Sequence, residues 1–270
     1  MIHVRAPATT ANLGAGFDCA GAALELWNEL ELGEDGGGAD SGHLAVRAFS
    51  RLASPDGFRF TFTERIPRAR GLGSSAATIA LGLVAAAAVA GRRADAEELL
   101  ALGLDLEGHP DNLAAALAGG VCLTWEGRIM RIADDAPGVP IAVVPREQVE
   151  THAARAALPE TIPHQDAVFS VARAALLGAA VASGSTELFA AAADDRLHEP
   201  YRAPQAPVLA AVRERLPDGA LAATLSGSGP TVIVWARREA AATCTAELTE
   251  RFPDADVLQL SISPTGAGQL

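Results

Sequence analysis

The chain has 270 residues, 49% hydrophobic and 20% charged, with a net charge of −12 and a pI near 4.9. That length suits one large domain or two small ones, and the composition argues for a packed fold and against disorder. The acidic balance argues against a nucleic-acid backbone or an anionic membrane as partner.

From the N-terminus, residues 2–6 read as a short strand and not as a signal peptide. The next run, Ala6 to Asp18, is small and turn-forming, too polar for a core strand and too apolar for a free loop. Asn12 offers donors and an acceptor there, and Asp18 acceptors only, with an Asx turn and a helix cap as the plain alternative. Leu24 to Leu32 reads as strand. Glu34 to Gly42 is glycine-rich but carries three carboxylates that would repel phosphate, so it reads as a hairpin turn. His43 to Leu52 reads as helix and Phe58 to Thr63 as strand.

The stretch Pro67-Arg68-Ala69-Arg70-Gly71-Leu72-Gly73-Ser74-Ser75-Ala76-Ala77 then opens a small-residue helix that runs to about Ala90. Strand, glycine turn, serine and helix form a layout for holding an anion. The glycines allow close backbone approach, Ser74 or Ser75 is a natural N-cap, and the first turn offers free N–H groups and a favourable dipole. A nucleotide polyphosphate is the expected guest. All 21 basic residues are arginine. A P-loop lysine, a Schiff-base lysine and a lysine general base are therefore excluded, and phosphate charge must be met by backbone dipoles, arginine and a metal ion. The run Ala76 to Ala90 is shorter than the ~20 residues a membrane span needs.

A second helix, Ala94 to Leu106, begins near Asp95 and leads into the polar knot Asp105-Leu-Glu-Gly-His-Pro-Asp-Asn112. Helix resumes over Asn112–Leu117, capped by Asp111 or His109 around Pro110. Asp105 or Glu107 could hold Mg²⁺ through oxygen. A hairpin follows, turning at Glu126-Gly127, and Asp134–Pro140 is the best linker. The second half reads as strand 141–145, helices 151–157, 166–183, 186–195 and 207–215, strands 220–226, 230–236 and 256–262, and a helix near 239–251, which makes a second α+β layer. Thr151 and Arg155 share one helix face. Arg155, Arg196 and Arg202 are candidates for an anionic group, with a surface ion pair the plain reading of each. Leu225-Ser-Gly-Ser-Gly-Pro-Thr231 joins two strands through a turn whose glycines can approach a bound molecule. Cys19, Cys122 and Cys244 show neither zinc spacing nor an even framework, which reads as reduced thiols in a cytosolic protein.

Three stretches, Pro7–Asp18, Pro67–Ala77 and Leu225–Thr231, resemble in this order the three motifs of the galactokinase, homoserine kinase, mevalonate kinase and phosphomevalonate kinase (GHMP) superfamily. The pattern P-A-T-T-A-N-L-G-A-G-F-D, together with Glu107–Asn112, Arg196–Arg202 and the Val149–Pro159 helix, resembles the homoserine kinase branch. The resemblance spans nearly the whole chain. It implies an α+β, two-domain GHMP kinase fold: residues 1–135 like ribosomal protein S5 domain 2, and residues 136–270 ferredoxin-like. It implies ATP and Mg²⁺, L-homoserine as acceptor and O-phospho-L-homoserine as product, a cytoplasmic location, no nucleic acid or membrane partner, and a homodimer as the assembly to look for.

By the same resemblance, Pro67–Ala77 wraps the phosphates. Ser75 and Asp105 hold the metal, with Glu107 the other option. Asn12, Asp18, His109, Asn112, Arg155, Arg202 and Gly227 line the acceptor pocket. Asn12, Asp18, Thr151 and Arg155 lie nearest the reacting groups, with no clear general base. The chain is short for this family, through trimmed C-terminal loops. The competing expectations are another small-molecule kinase of the superfamily and a catalytically silent sensor of ATP or an amino acid.

Overall fold

The computed structural model describes every residue except Asp35, Gly37, Gly38, Ala94 and Glu150, and every other side chain except that of Thr151. In chain order the elements are β1 (Ile2–Asn12), β2 (Gly16–Gly33), α1 (Leu44–Phe49), β3 (Arg59–Thr63), α2 (Ser74–Val89), α3 (Ala96–Glu107), α4 (Pro110–Ala118), β4 (Val121–Trp125) and β5 (Arg128–Ala133). They continue as β6 (Val139–Val144), α5 (Thr151–Ala156), α6 (His164–Ser183), α7 (Thr186–Ala192), α8 (Glu199–Arg202), α9 (Pro207–Glu214), β7 (Ala220–Leu225), β8 (Val232–Ala236), α10 (Ala241–Arg251), β9 (Asp256–Gln259) and β10 (Gly268–Gln269).

Two antiparallel sheets carry the fold. The first has the order β10-β1-β2-β4-β5, with β3 also on β2. Strand β2 is long enough to serve two neighbours on one edge: Glu29–Gly33 pairs with β3 and Ala20–Ala22 with β4. The second sheet has the order β7-β8-β6-β9. With α5–α9 after β6 and α10 after β8, this is the β-α-β-β-α-β pattern of a ferredoxin-like layer. The α+β class and both halves of the expected fold are present.

The second sheet is buried on both faces. Ala142, Val144, Ala222, Ile233 and Trp235 belong to the large core shared with the first sheet, whereas Ile141, Val143, Ala223, Val232 and Val234 face a smaller core with Leu209, Val212, Cys244 and Leu248. This alternation explains why β6 and β8 read as unbroken apolar runs in the sequence. The expected division at residue 135 falls between β5 and β6. The end of the second half returns to the first, because β10 pairs with β1.

Three local expectations change. The run Ala6–Asp18 is not excluded from strand: residues up to Asn12 complete β1, and Thr9 and Thr10 are fully buried. Their hydroxyls find partners in Asn112 and Ser226, so the polarity is satisfied and the small side chains let helices pack close. The acidic Glu34–Gly42 segment includes three residues outside the described ones. It links β2 to α1, and so does not join two strands of a hairpin. Helix α2 is capped by Gly73, in the left-handed region at φ 62°, and not by Ser74 or Ser75, which form its first turn. Among the described residues one helix, α6, is long and apolar enough to cross a membrane by length and composition; Ser170, Leu177, Ala180 and Val181 on it are buried.

Candidate active site

The hairpin between β1 and β2 ends in a kinked tip. Its register shifts between Ala11 and Asn12, and Asn12, Leu13 and Gly14 adopt φ of 72°, 49° and 84°. Such conformations are strained for residues with a Cβ and persist where surroundings fix them. Here the Asn12 side chain supplies the fixing: Oδ1 accepts from the Asp18 backbone N–H at 3.1 Å, and Nδ2 donates to the Gly227 carbonyl at 3.1 Å. Asp18, itself at φ 56°, is thereby turned toward α5, where Arg155 Nη2 reaches its two carboxylate oxygens at 2.7 and 2.8 Å.

The loop from Pro67 to Gly73 runs between this tip and the Leu225–Thr231 turn. Gly71 lies so close to the latter that a methyl group there would overlap the Ser226 carbonyl and approach the Gly229 carbonyl at 2.9 Å. Ser226 Oγ donates to the Gly71 carbonyl at 2.6 Å and lies 2.9 Å from Thr10 Oγ1. Further bonds run from Thr231 N to the Arg70 carbonyl and from Val149 N to the Ala69 carbonyl. Arg70 Nη2 donates to the Arg146 carbonyl at 2.8 Å, so it braces the loop from outside. Arg68 pairs with Glu64 on the exposed surface.

The loop delivers α2 into a cleft lined by Ala69, Gly71, Gly73, Ser74, Ser75, Glu107, His109, Asn112, Val149, Gly227 and Ser228. The first ladder bond of α2 joins Ala77 N to Gly73 O, which leaves the N–H groups of Ser74, Ser75 and Ala76 ahead of the ladder, the arrangement that suits an anion. The cleft has a volume of about 100 Å³ and is open on one side.

The opposite wall is the junction of α3 and α4. Glu107 accepts from Ser75 Oγ at 2.7 Å. Burial pushes its carboxyl up to about 8, against the lowering effect of that hydrogen bond. Asp105, the other expected metal ligand, is not in the cleft. Two residues along a helix is about 200° around its axis, so when Glu107 faces α2, Asp105 faces outward, where it pairs with Arg51 at 2.5 Å. Asn112 Oδ1 accepts from Thr9 Oγ1 at 2.7 Å. Asp111 is buried beside it and accepts from the Asn112 backbone N–H at 2.7 Å; burial raises its carboxyl to about 6. Burial first, then Arg155, lowers the pKa of His109 and favours its neutral form.

Arg202 enters from α8. It is 3% exposed, and Nη1 donates to the Gly227 carbonyl at 3.0 Å. His198 lies between α8 and the hairpin tip: Nε2 is 2.9 Å from the Gly14 carbonyl, and Nδ1 is 3.3 Å from Arg202 Nη1. Because the carbonyl only accepts and the guanidinium only donates, the proton sits on Nε2. Burial lowers the pKa of this imidazole to about 4, which agrees with a neutral ring. Phe17 stacks on it at 5.0 Å, and both Arg155 and Arg202 lie over the face of Phe17.

Of the expected site residues, Ala69, Gly71, Gly73, Ser74, Ser75, His109, Asn112 and Gly227 line the cleft; Asn12 and Arg202 bond to the Gly227 carbonyl behind it, and Asp18 with Arg155 stands beside Asn12. Thr151 begins α5, and its side chain lies outside the described ones. Arg196 pairs with Asp166 on the surface. Sequence reasoning missed Thr9, Phe17, Asp111 and His198. Thr9 and Phe17 lie inside the Pro7–Asp18 motif, His198 inside Arg196–Arg202 and Asp111 beside Asn112, so each stood in a motif stretch without a role of its own. Among the described residues no cluster of three His, Cys, Asp or Glu could hold a metal by itself. The oxygens of Ser75 and Glu107 do fit Mg²⁺, which takes one or two protein oxygens beside phosphates.

Residues 43–120 match the family model described as the GHMP kinases N terminal domain, and residues 177–254 match that for the GHMP kinases C terminal. The chain is 42% identical over 266 residues to a homoserine kinase of Streptomyces coelicolor, covering 89% of this chain and 86% of that protein. It is 42% identical over 263 residues to one of Moorella thermoacetica, covering 88% of each. The crystal structure of homoserine kinase from Cytophaga hutchinsonii superposes with a TM-score of 0.84 at 26% identity, over 100% of this chain and 97% of that one.

Proposed function

The chain belongs to the GHMP kinase family, in its homoserine kinase branch, and we propose on that premise that its cleft transfers the terminal phosphate of ATP to the side-chain hydroxyl of L-homoserine. The product is O-phospho-L-homoserine, a step toward threonine. One observation carries the reading of the site: the pair Asp18–Arg155, matched to an amino acid's ammonium and carboxylate, acts on His109, and His109 lines the same cleft as the N-terminus of α2, matched to a polyphosphate. A sugar or mevalonate kinase has no use for both charges of a zwitterion.

In this assignment the N–H groups of Ser74, Ser75 and Ala76 take the phosphates. Arg155 and Arg202 take the homoserine carboxylate, as guanidinium forks suit it. Asp18 takes the ammonium. Asn12 and Asn112 orient the hydroxyl: Asn112 is itself fixed by Thr9 and Asp111, and Asn12 by Asp18 N–H and Gly227. Recognition rests on these polar groups, since one methylene is worth only about 1–3 kcal/mol. Ser75 and Glu107, and not Asp105, would hold Mg²⁺, which supplies neutralisation of phosphate charge when bound.

Catalysis is positioning and charge neutralisation. The hydroxyl oxygen attacks the terminal phosphorus, the bond to ADP breaks, and the hydroxyl proton passes to a phosphate oxygen or to solvent. The neutral His109 borders the cleft and contributes to the wall around the acceptor without adding charge. The reading includes a cytoplasmic site of action, in keeping with three free cysteines.

The test is ADP release from Mg-ATP with L-homoserine, mevalonate, shikimate, galactose or no acceptor. ADP formation dependent on L-homoserine alone is expected. Turnover with another acceptor, or none with any, would overturn the assignment.

A further inference from the structure

Helix α8 has four residues, too few to hold a direction by itself, yet it carries Arg202 to the Gly227 carbonyl behind the cleft. Its orientation is imposed from outside. Asp195 caps it, accepting at Oδ2 from the backbone N–H groups of His198 and Glu199. His198 ties it to Gly14, as described. The remaining tie is Glu199, whose side chain is 1% exposed. Oε1 accepts from the backbone N–H of Leu225 at 2.8 Å, the residue that opens the Leu225–Thr231 turn. Oε2 accepts from Arg213 Nη2 at 2.6 Å, and Arg213 in turn donates to the Ala223 carbonyl on the strand leading to that turn.

One buried carboxylate thus joins α8, α9 and the end of β7, and neither oxygen faces the cleft. Such a group is costly to bury unless every lone pair has a partner, and these partners fall on both sides of the contact between Arg202 and Gly227. The Gly227 carbonyl accepts from Arg202 and Asn12 together. A shift of α8 against the turn therefore moves the carboxylate-binding guanidinium relative to the amide that orients the hydroxyl.

We propose that Glu199 is a positioning residue for the reaction: by clamping α8 to the Leu225–Thr231 turn and to Arg213, it sets the distance between Arg202 and Asn12 to the length of the acceptor. The proposal rests on the assignment of Arg202 to the acceptor carboxylate. Glu199 makes no hydrogen bond to α2 or to the Pro67–Gly73 loop and reaches that loop only through the turn, where Ser226 and Thr231 hold it by further bonds, whereas α8 carries Arg202 itself; the acceptor side therefore responds more strongly to its loss than the phosphate side.

The experiment compares wild type, Glu199→Gln, Arg213→Gln and the double variant. KM and kcat are measured separately for acceptor and Mg-ATP, and unfolding is followed by circular dichroism. Glu199→Gln keeps the shape and an acceptor for Leu225 N–H but sets an amide NH₂ against Arg213. The expected result is an acceptor KM raised at least tenfold, a Mg-ATP KM within twofold of wild type, and partial recovery in the double variant, where two neutral groups can pair again. Equal rises in both KM values, or a lowered melting temperature with unchanged kinetics, would assign Glu199 to the general fold and overturn the proposal. Should Glu199→Gln not fold, Arg213→Gln alone is read by the same split. If wild type accepts an alcohol other than homoserine, the functional assignment fails, and the split is then measured with that alcohol.

Discussion

Gly73 and Gly91, at either end of α2, share the same φ of 62° and differ in what surrounds them. A methyl group on Gly91 would meet nothing within 4 Å, whereas one on Gly73 would overlap Thr9 Oγ1 and lie 3.1 Å from Asn112 Oδ1. Gly91→Ala therefore isolates the cost of a left-handed residue, about 1–2 kcal/mol. Gly73→Ala adds a second cost. Thr9 is fully buried and donates its hydroxyl to Asn112 at 2.7 Å. Driving it aside leaves buried polar groups unpaired, for about 1–3 kcal/mol more. The two variants should thus differ in unfolding free energy by about that second amount, read from urea denaturation. Activity should separate them further: Gly91→Ala should keep wild-type turnover. Gly73→Ala displaces Asn112 and the first turn of α2, and a shift near 1 Å in such groups can cost about a hundredfold in kcat/KM. ADP release would measure this. Equal destabilisation by both substitutions, with Gly73→Ala keeping more than a tenth of wild-type kcat/KM, would refute the reasoning.

Glu107→Gln should raise the Mg²⁺ concentration for half-maximal rate more than tenfold and Asp105→Asn should leave it within twofold; a reversed order in the Mg²⁺ titration would restore Asp105 as ligand. The buried Asp111 has its folded pKa raised from 3.8 to about 6. The folded state then holds a proton that the unfolded chain releases, so this contribution is complete below about pH 4 and is lost as pH rises through 6. Over that window wild type should lose about 3 kcal/mol relative to Asp111→Asn, and parallel stability curves between pH 4 and 7.5 would contradict it. Burial pushes the Cys122 thiol up to about 12, so it stays protonated at pH 8. Alkylation followed by mass spectrometry should label Cys122 only as the protein unfolds in denaturant, and labelling of the native protein would show that the strand opens.

Local chemistry made much of this protein legible before folding. Gly71-Leu-Gly-Ser-Ser before an alanine-rich helix marked a helix start suited to an anion, because such a start needs no tertiary partner to leave N–H groups free, and the fold sets that start in a cleft. The absence of lysine ruled out whole mechanisms. The unbroken apolar strands and the turn at Glu126-Gly127 located the second layer and the β4–β5 hairpin. The motif resemblance gathered Asn12, Asp18, Asn112 and Arg202 into one list, though nothing in their spacing could show that they meet.

Tertiary structure decided what depends on direction and on distant contact. Asp105 and Glu107 are equivalent as letters, and only the rotation of α3 against α1 and α2 sends one to Arg51 and the other to Ser75. Thr9 and Thr10 looked too polar for a core because their partners, Asn112 and Ser226, stand 103 and 216 residues away. Phe17 and His198 stood inside motifs but with no role to read, since a stacked ring and a fixed tautomer exist only once the hairpin tip and α8 are brought together. Sequence set which groups the chain possesses and where its helices begin. The packing of two sheets around a shared core set which of those groups face one another across the cleft, because charge, hydrogen bonding and pKa all depend on distances the linear order does not contain.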